Sequence, residues 1–247
     1  MDETRLRDRR VLITGAASGI GRALAEGAMQ AGAHVTLLDR NADALADVAS
    51  RGRCTTHAID VGDPDAWARL PHAEEPWDFV ALNAGVMTAP PDAPPQASNL
   101  LTMDLSDYQR VMRVNVDGAV HGLRRLLPEL ADGGAIVVTA SATGVVGFPA
   151  DIPYAMSKHA LVGLVRSLAP RLAKKRQGQR ICAICPGGVR TNIMPQHFRD
   201  LKAMEPGVIA DEIASLWLDG DNGEVRVKMR PELEGLRIDE PELPQWW

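Results

Sequence analysis

Seven short apolar runs, at residues 11–14, 34–38, 55–60, 79–83, 135–141, 180–185 and 224–229, alternate with helical patterns, notably at 20–31, 42–50, 106–130 and 153–174. Runs of this length are strand-sized, and a helix between two of them supplies the crossover that parallel strands require. Ala135-Ile136-Val137-Val138-Thr139 is apolar at successive positions, as a strand must be when both faces of its sheet are covered. The alternation therefore predicts an α/β fold, a doubly wound parallel sheet of about seven strands with helices on both faces. At 247 residues the chain fits one such domain, spanning 1–247.

Composition narrows the partners. The formal net charge is -5, with both signs mixed along the chain, so neither a nucleic acid nor an anionic membrane is an expected partner. No run approaches the roughly 20 apolar residues that span a bilayer. Residues 1–10 are charged and lead straight into the first strand, which reads as no signal peptide and a cytoplasmic location. Cys182 and Cys185 have a C-x-x-C spacing, but on a strand two residues an odd number apart face opposite ways, so no metal site is expected there. Residues 89–95, Ala-Pro-Pro-Asp-Ala-Pro-Pro, form a stiff loop after the fourth strand, at the sheet edge where ligands bind in such folds.

The first strand runs directly into Thr14-Gly15-Ala16-Ala17-Ser18-Gly19-Ile20-Gly21, and a helix follows. Gly15, Gly19 and Gly21 permit a tight turn and let backbone amides, with Ser18 and Ile20, approach a pyrophosphate at the helix N-terminus. Asp39 ends the second strand about 20 residues later, where a carboxylate accepts hydrogen bonds from an adenosine ribose and repels a 2′-phosphate. The expected cofactor is thus NAD. Arg40 beside it is the one feature that favours a 2′-phosphate, and with it an NADP-dependent carbonyl reductase as the alternative.

Tyr154 and Lys158 stand four residues apart at the start of a helical pattern, on one face and one turn apart. A free phenol has a pKa near 10, and an adjacent ammonium favours its ionised form, so the pair is expected to bring Tyr154 toward the range of useful proton exchange. Ser141 ends the fifth strand at the same sheet edge, placed to steady a substrate oxygen. Asn115 sits in a helical pattern where Asn is unfavoured, and its amide is suited to ordering a water or helping position Lys158.

Taken together, these residues resemble the short-chain dehydrogenase/reductase family in its form of about 250 residues. The glycine turn, Asp60-Val61, Asn83-Ala84-Gly85, Asn115, Ser141, Tyr154 with Lys158, and Pro186-Gly187 followed by Thr191 match it in order and spacing. The resemblance implies a Rossmann-type sheet and a tetrad of Asn115, Ser141, Tyr154 and Lys158. It also implies that Asp60 and Val61 contact adenine and that Asn83, Ala84 and Gly85 flank the cofactor. Tyr154 and Lys158 would reach the nicotinamide ribose, and Pro186, Gly187, Val189 and Thr191 the nicotinamide half. It implies a small alcohol or ketone as substrate, and a homotetramer or homodimer. A non-catalytic dinucleotide sensor of the same fold is the remaining rival, disfavoured by the intact tetrad. Leu82 departs from the second Asn of many relatives, and the match fades after Thr191. The apolar Val145, Val146 and Phe148, with residues 194–207 including His197, Phe198, Met204 and Pro206, are expected to line the pocket for a hydrophobic secondary alcohol.

Overall fold

The computed structural model describes residues 1–175, 177–196 and 203–241. Its strands are β1 (Arg10–Thr14), β2 (His34–Asp39), β3 (Cys54–Ala58), β4 (Trp77–Leu82), β5 (Leu130–Thr139), β6 (Arg180–Pro186), β7 (Val225–Lys228) and β8 (Leu236–Arg237). Its α-helices are α1 (Glu3–Leu6), α2 (Gly19–Gln30), α3 (Ala42–Ala49), α4 (Pro64–Arg69), α5 (Leu105–Met112), α6 (Gly118–Leu126), α7 (Ile152–Lys175) and α8 (Pro206–Asp219). The sheet order is β3-β2-β1-β4-β5-β6-β7-β8, parallel throughout except for β8, which pairs antiparallel with β7. This is the expected doubly wound, Rossmann-type fold, with one strand more than the sequence suggests because β8 is too short to carry a pattern.

Alternation along each strand builds two core layers. Val11 and Ile13 of β1, Ala135 and Val137 of β5, and Cys182 and Ile184 of β6 pack on one side, with α2, α3 and α8. Leu12, Ile136, Val138, Ile181, Ala183 and Cys185 pack on the other, with α4, α6 and α7. The two thiols of the C-x-x-C spacing accordingly lie in opposite layers. Trp217 of α8 is fully buried, stacks on Phe79 with ring centroids 5.5 Å apart, and donates its indole N–H to the Val80 carbonyl at 2.9 Å. Trp217→Ala is expected to destabilise the fold by about 3–5 kcal/mol, read from chemical denaturation.

Several boundaries differ from the sequence reading. The long pattern at 106–130 is interrupted by a π-helical turn, Arg113–Asp117, and Leu130 already belongs to β5. β5 ends at Thr139, so Ser141 lies beyond the strand, capping a short 3-10 turn, Ala142–Gly144, with its side chain. Helices α1, α4 and α8 are additional, and α8 claims Pro206 and Gly207 from the supposed pocket loop. The α7 helix, by contrast, matches the expected 153–174 to within one residue at each end, with Pro170 inside it. His197 and Phe198 lie outside the described residues. Just after β8, Ile238 and Asp239 are held by Arg166, which donates to their carbonyls at 3.2 and 3.1 Å.

What the topology fixes is the place for chemistry. β1 and β4 are neighbours, yet the chain leaves them toward opposite sides of the sheet. Their carboxyl ends therefore part and open a crevice at the switch point.

Candidate active site

One wall of the crevice is the glycine turn. Gly15 has φ +66°, and a Cβ on it would stand 2.9 Å from the Ala84 Cα. A Cβ on Gly21 would stand 2.1 Å from the Gly15 carbonyl oxygen, so the turn closes on the start of α2 only with glycine at both places. Gly19 packs against Thr191, whose Cγ2 would be 2.9 Å from an added Cβ. Ser18 occupies the N-cap position of α2 without a side-chain capping bond, and no acidic residue lies in the first turn. Ile20 packs partly on the core. The first-turn amides of α2 are thus left to a partner, and the positive end of the helix faces the crevice.

Thr14 ties the two strand ends together. Its hydroxyl accepts the N–H groups of Asn83 (2.9 Å) and Ala84 (3.0 Å), and its carbonyl accepts from the Asn83 amide at 3.2 Å. Thr139 in turn donates to Asn83 Oδ1 at 3.1 Å. Asp39 accepts the Ala17 N–H at 3.0 Å and the Asn41 N–H at 2.9 Å, which holds its carboxylate at the mouth of the glycine turn. Farther along the same edge, Asp60 accepts from Gly62 N–H and Arg113, both at 2.9 Å. Burial acts to raise its pKa, but these partners and the nearby, exposed Arg40 outweigh it and hold the carboxyl below its ordinary value.

The other wall carries Tyr154 and Lys158 in the first two turns of α7. Lys158 is 3% exposed, its Nζ lies 5.5 Å from the Tyr154 ring centre, and it donates to the Thr139 carbonyl at 2.9 Å. Ser141 hydrogen-bonds the phenol from the turn after β5, with the Pro186 carbonyl at the long limit of 3.5 Å behind it. Asn115, 1% exposed, sits within the π turn, which aims its amide inward. Its Nδ2 donates to the Val86 carbonyl (3.0 Å) and Ser157 Oγ (2.9 Å), and its Oδ1 accepts the Val86 N–H (2.8 Å). A Cβ on Gly85 would stand 3.2 Å from Lys158 Nζ and 3.3 Å from Asn115 Oδ1, so the absence of a side chain there lets the two walls meet.

The electrostatics differ from the sequence expectation. Burial pushes the Tyr154 phenol up to about 12; the Ser141 hydroxyl pulls it back, while Asp151 and Cys185 add to the rise. Burial also brings Lys158 down to about 8. Proximity of an amine was expected to lower the phenol, but in the protein alone desolvation wins over it and disfavours both charges.

The remaining predicted residues divide. Pro186 ends β6 beside Ser141 and Gly187 follows it, with the Gly187 N–H donating to the Lys228 carbonyl at 2.8 Å. Val61 and Val189 are both 7% exposed and turn their side chains into the core, so any ligand would meet their backbone. Met204, 2% exposed and bridged to Val189, belongs to the core and not to a pocket wall. Sequence reasoning gave no role to Thr14, which it held only as the first residue of the glycine turn, nor to Thr139, Ser157, Thr88 and Asp151; Asp151 carried a signal, as an N-cap residue three before Tyr154. A cavity of about 680 Å³ at the opposite, amino edge of the sheet is lined by Arg5, Arg9, Asp78 and Arg180 among others. Arg9 pairs with Asp78, Arg5 with Asp219, and Arg180 donates to the Trp217 and Gly220 carbonyls, so these three cations are already engaged within the fold. No helix among the described residues is long and apolar enough to cross a membrane.

A doubly wound sheet with a glycine turn at its switch point and a Ser–Tyr–Lys group facing that turn defines an α/β oxidoreductase site. Residues 9–202 match the family model described as short chain dehydrogenase. The chain is 35% identical over 221 residues to oxidoreductase UcpA of Salmonella typhimurium, covering 85% of this chain and 80% of that one. It is 33% identical over 234 residues to meso-2,3-butanediol dehydrogenase of Serratia marcescens, covering 87% and 89%. A solved 3-oxoacyl-(acyl-carrier protein) reductase with bound NAD from Brucella melitensis superposes with a TM-score of 0.79 at 28% identity, covering 93% of this chain and 94% of that one. The chain belongs to the short-chain dehydrogenase/reductase family, and it is an oxidoreductase of alcohols or ketones.

Proposed function

We propose that the chain, as a single domain over 1–247, interconverts a hydrophobic secondary alcohol and its ketone with NAD, using Tyr154 as the acid/base. The observation that carries this reading is the convergence of Ser141 and Lys158 on one half-buried tyrosine, across the crevice from the glycine turn. The residues present fit a dinucleotide: the amides of α2 lack an internal cap, and the turn has no room for side chains at Gly15 and Gly21. Gly15, Ser18, Gly19, Ile20 and Gly21 would hold the pyrophosphate, Asp39 the adenosine ribose, and Asp60 with the Val61 backbone the adenine side. Asn83, Ala84, Gly85, Pro186, Gly187, the Val189 backbone and Thr191 would flank the nicotinamide half, with Tyr154 and Lys158 at its ribose. When bound in its oxidised form, the nicotinamide supplies the hydride acceptor and a positive charge beside the phenol.

In alcohol oxidation Tyr154 takes the hydroxyl proton while Ser141 holds the same oxygen. In ketone reduction Tyr154 returns the proton, a task for which its protonated resting form is suited. Lys158, brought down to about 8, gains charge near neutral pH and then favours the phenolate. Asn115 positions the loop after β4 and, through Ser157, the helix that carries both. Val145 and Phe148, partly exposed, and the exposed Val146 supply an apolar rim behind Ser141. A homo-oligomer in the cytoplasm belongs to the same reading.

Exposed Arg40 favours the second reading, an NADP-dependent carbonyl reductase, yet its field already falls on Asp60. Nucleotide fluorescence separates the two. NADH is expected to bind more tightly than NADPH, and Asp39→Ala to shift that ratio about tenfold toward NADPH. Tighter NADPH binding by the wild-type protein overturns the role given to Asp39. Incubation with NAD and a panel of secondary alcohols is expected to raise the absorbance of the reduced nicotinamide. A complete absence of turnover across alcohols and ketones, with either nucleotide, would favour the non-catalytic sensor instead.

A further inference from the structure

The loop leaving β4 is held at alternate residues by buried side chains. At Val86 the holder is Asn115. At Thr88 it is Asp151, whose Oδ2 accepts the Thr88 N–H at 3.0 Å and whose Oδ1 accepts the Thr88 hydroxyl at 2.5 Å. Arg110 donates to the Thr88 carbonyl at 2.6 Å and so completes the fastening. Thr88 is 0% and Asp151 2% exposed, which makes this a designed contact and not a surface one. Asp151 is also the N-cap of α7: its Oδ1 accepts the Tyr154 N–H at 3.1 Å and its carbonyl accepts the Ala155 N–H at 3.1 Å. Farther on, Pro91 accepts the Gln196 N–H at 2.8 Å and Ser98 donates to the Ala150 carbonyl at 2.8 Å. The Pro-rich segment is therefore strapped from the start of α7 to the loop after β6.

We propose that Asp151 is a positioning residue of the active site: through Thr88 it fastens the loop after β4 to the first turn of α7, and as a fixed negative charge behind Tyr154 it sets the pH at which the phenol exchanges its proton. The proposal rests on the acid/base reading of Tyr154. Capping alone does not explain the residue, because Ser, Thr or Asn caps a helix as well without placing a charge beside a group that must ionise. The groups acting on the phenol are Lys158 one turn along α7, the Cys185 thiol from β6, the Ser141 hydroxyl from the turn after β5, and Asp151, whose carboxylate lies 3.1 Å from the Tyr154 backbone nitrogen. Of these, Asp151 and the Cys185 thiol oppose ionisation through charge, Asp151 more strongly, and the two hydrogen bonds from Thr88 damp the charge of Asp151. Removing the charge and removing the damping should then move the phenol in opposite directions, which a purely structural cap cannot do.

The chain has only two tyrosines, so in a Tyr108→Phe background the ultraviolet phenolate band reports Tyr154 alone, and Tyr108→Phe/Tyr154→Phe sets its baseline. Titrated with saturating NAD, Asp151→Asn is expected to lower the midpoint by about one pH unit, and Thr88→Val to raise it by a smaller amount. An unmoved midpoint in an Asp151→Asn protein that melts like its parent overturns the proposal, as do shifts of the same sign in both variants. If Asp151→Asn does not fold, Thr88→Val decides alone: a raised midpoint supports the proposal and an unchanged or lowered one overturns it. Turnover by Tyr154→Phe, measured in parallel, separates the two levels. Substantial activity there defeats the acid/base reading and the proposal with it, whereas an inactive Tyr154→Phe beside an unmoved midpoint defeats the proposal alone.

Discussion

Tyr154→Phe is expected to lower turnover by about a thousandfold or more while nucleotide binding stays close to that of the wild-type protein. The substitution removes one oxygen. The ring keeps its place in the first turn of α7, and Lys158 keeps its bond to the Thr139 carbonyl. What is lost is the phenol beside Ser141, and with it the proposed proton acceptor for the alcohol. Ser141 does not substitute, since an aliphatic hydroxyl is a far weaker acid than a phenol. The absorbance of reduced nicotinamide reads the rate, and quenching of tryptophan fluorescence reads the binding. A loss smaller than about tenfold would mean that another group, or a water, moves the proton.

Lys158→Met is expected to act in two directions at once: a large loss of turnover and a gain in the stability of the protein alone. The ammonium is 3% exposed, and burial depresses its pKa to about 8 from 10.5. A depressed folded-state pKa means that the folded state binds the proton more weakly than the unfolded chain does. Below pH 8 both states are charged, and the folded one carries a penalty on the order of 3 kcal/mol. The penalty is relieved as pH rises from 8 toward 10.5. Methionine fills similar space without charge, and the unpartnered Thr139 carbonyl takes back about 1 kcal/mol. The melting temperature of Lys158→Met should therefore exceed that of wild type at pH 7, and the gap should close through the alkaline window. Taking the difference between the two proteins cancels the buried Cys182 thiol, whose raised pKa lowers stability above pH 9 in both alike, whereas Cys185 senses the Lys158 charge, so the comparison is read below pH 9. A gap that is absent at pH 7, or that widens with pH, contradicts a buried ammonium. A strained, charge-burying site is what an active centre retains when function outweighs stability.

The fold was legible because its signals are local and repeated. Val11 to Ile13 and Ala135 to Val138 alternate between two core layers, and a run apolar at every position leaves no other arrangement. The glycine turn was legible for the same reason: Gly15 and Gly21 meet within a few residues of each other, and backbone sterics demand them. Partners far apart in the chain were not. Thr88 and Asp151 are separated by 63 positions, and Thr14 and Asn83 by 69, with nothing in either stretch that announces the other. The π turn at Asn115 leaves no periodic trace beyond a misplaced Asn. β8, two residues long, has no period to read. The phenol failed differently. Spacing revealed the amine one turn away but not how strongly the fold desolvates each group, and desolvation decides the resting pKa.

The most direct test is a crystal structure of the protein with NAD and a secondary alcohol that it turns over slowly. The alcohol oxygen is predicted to lie within about 3 Å of both Tyr154 Oη and Ser141 Oγ, with its carbinol hydrogen directed at the nicotinamide ring and Lys158 Nζ near the nicotinamide ribose. An alcohol oxygen bound away from the phenol, or a nicotinamide seated anywhere but between the glycine turn and α7, contradicts the account.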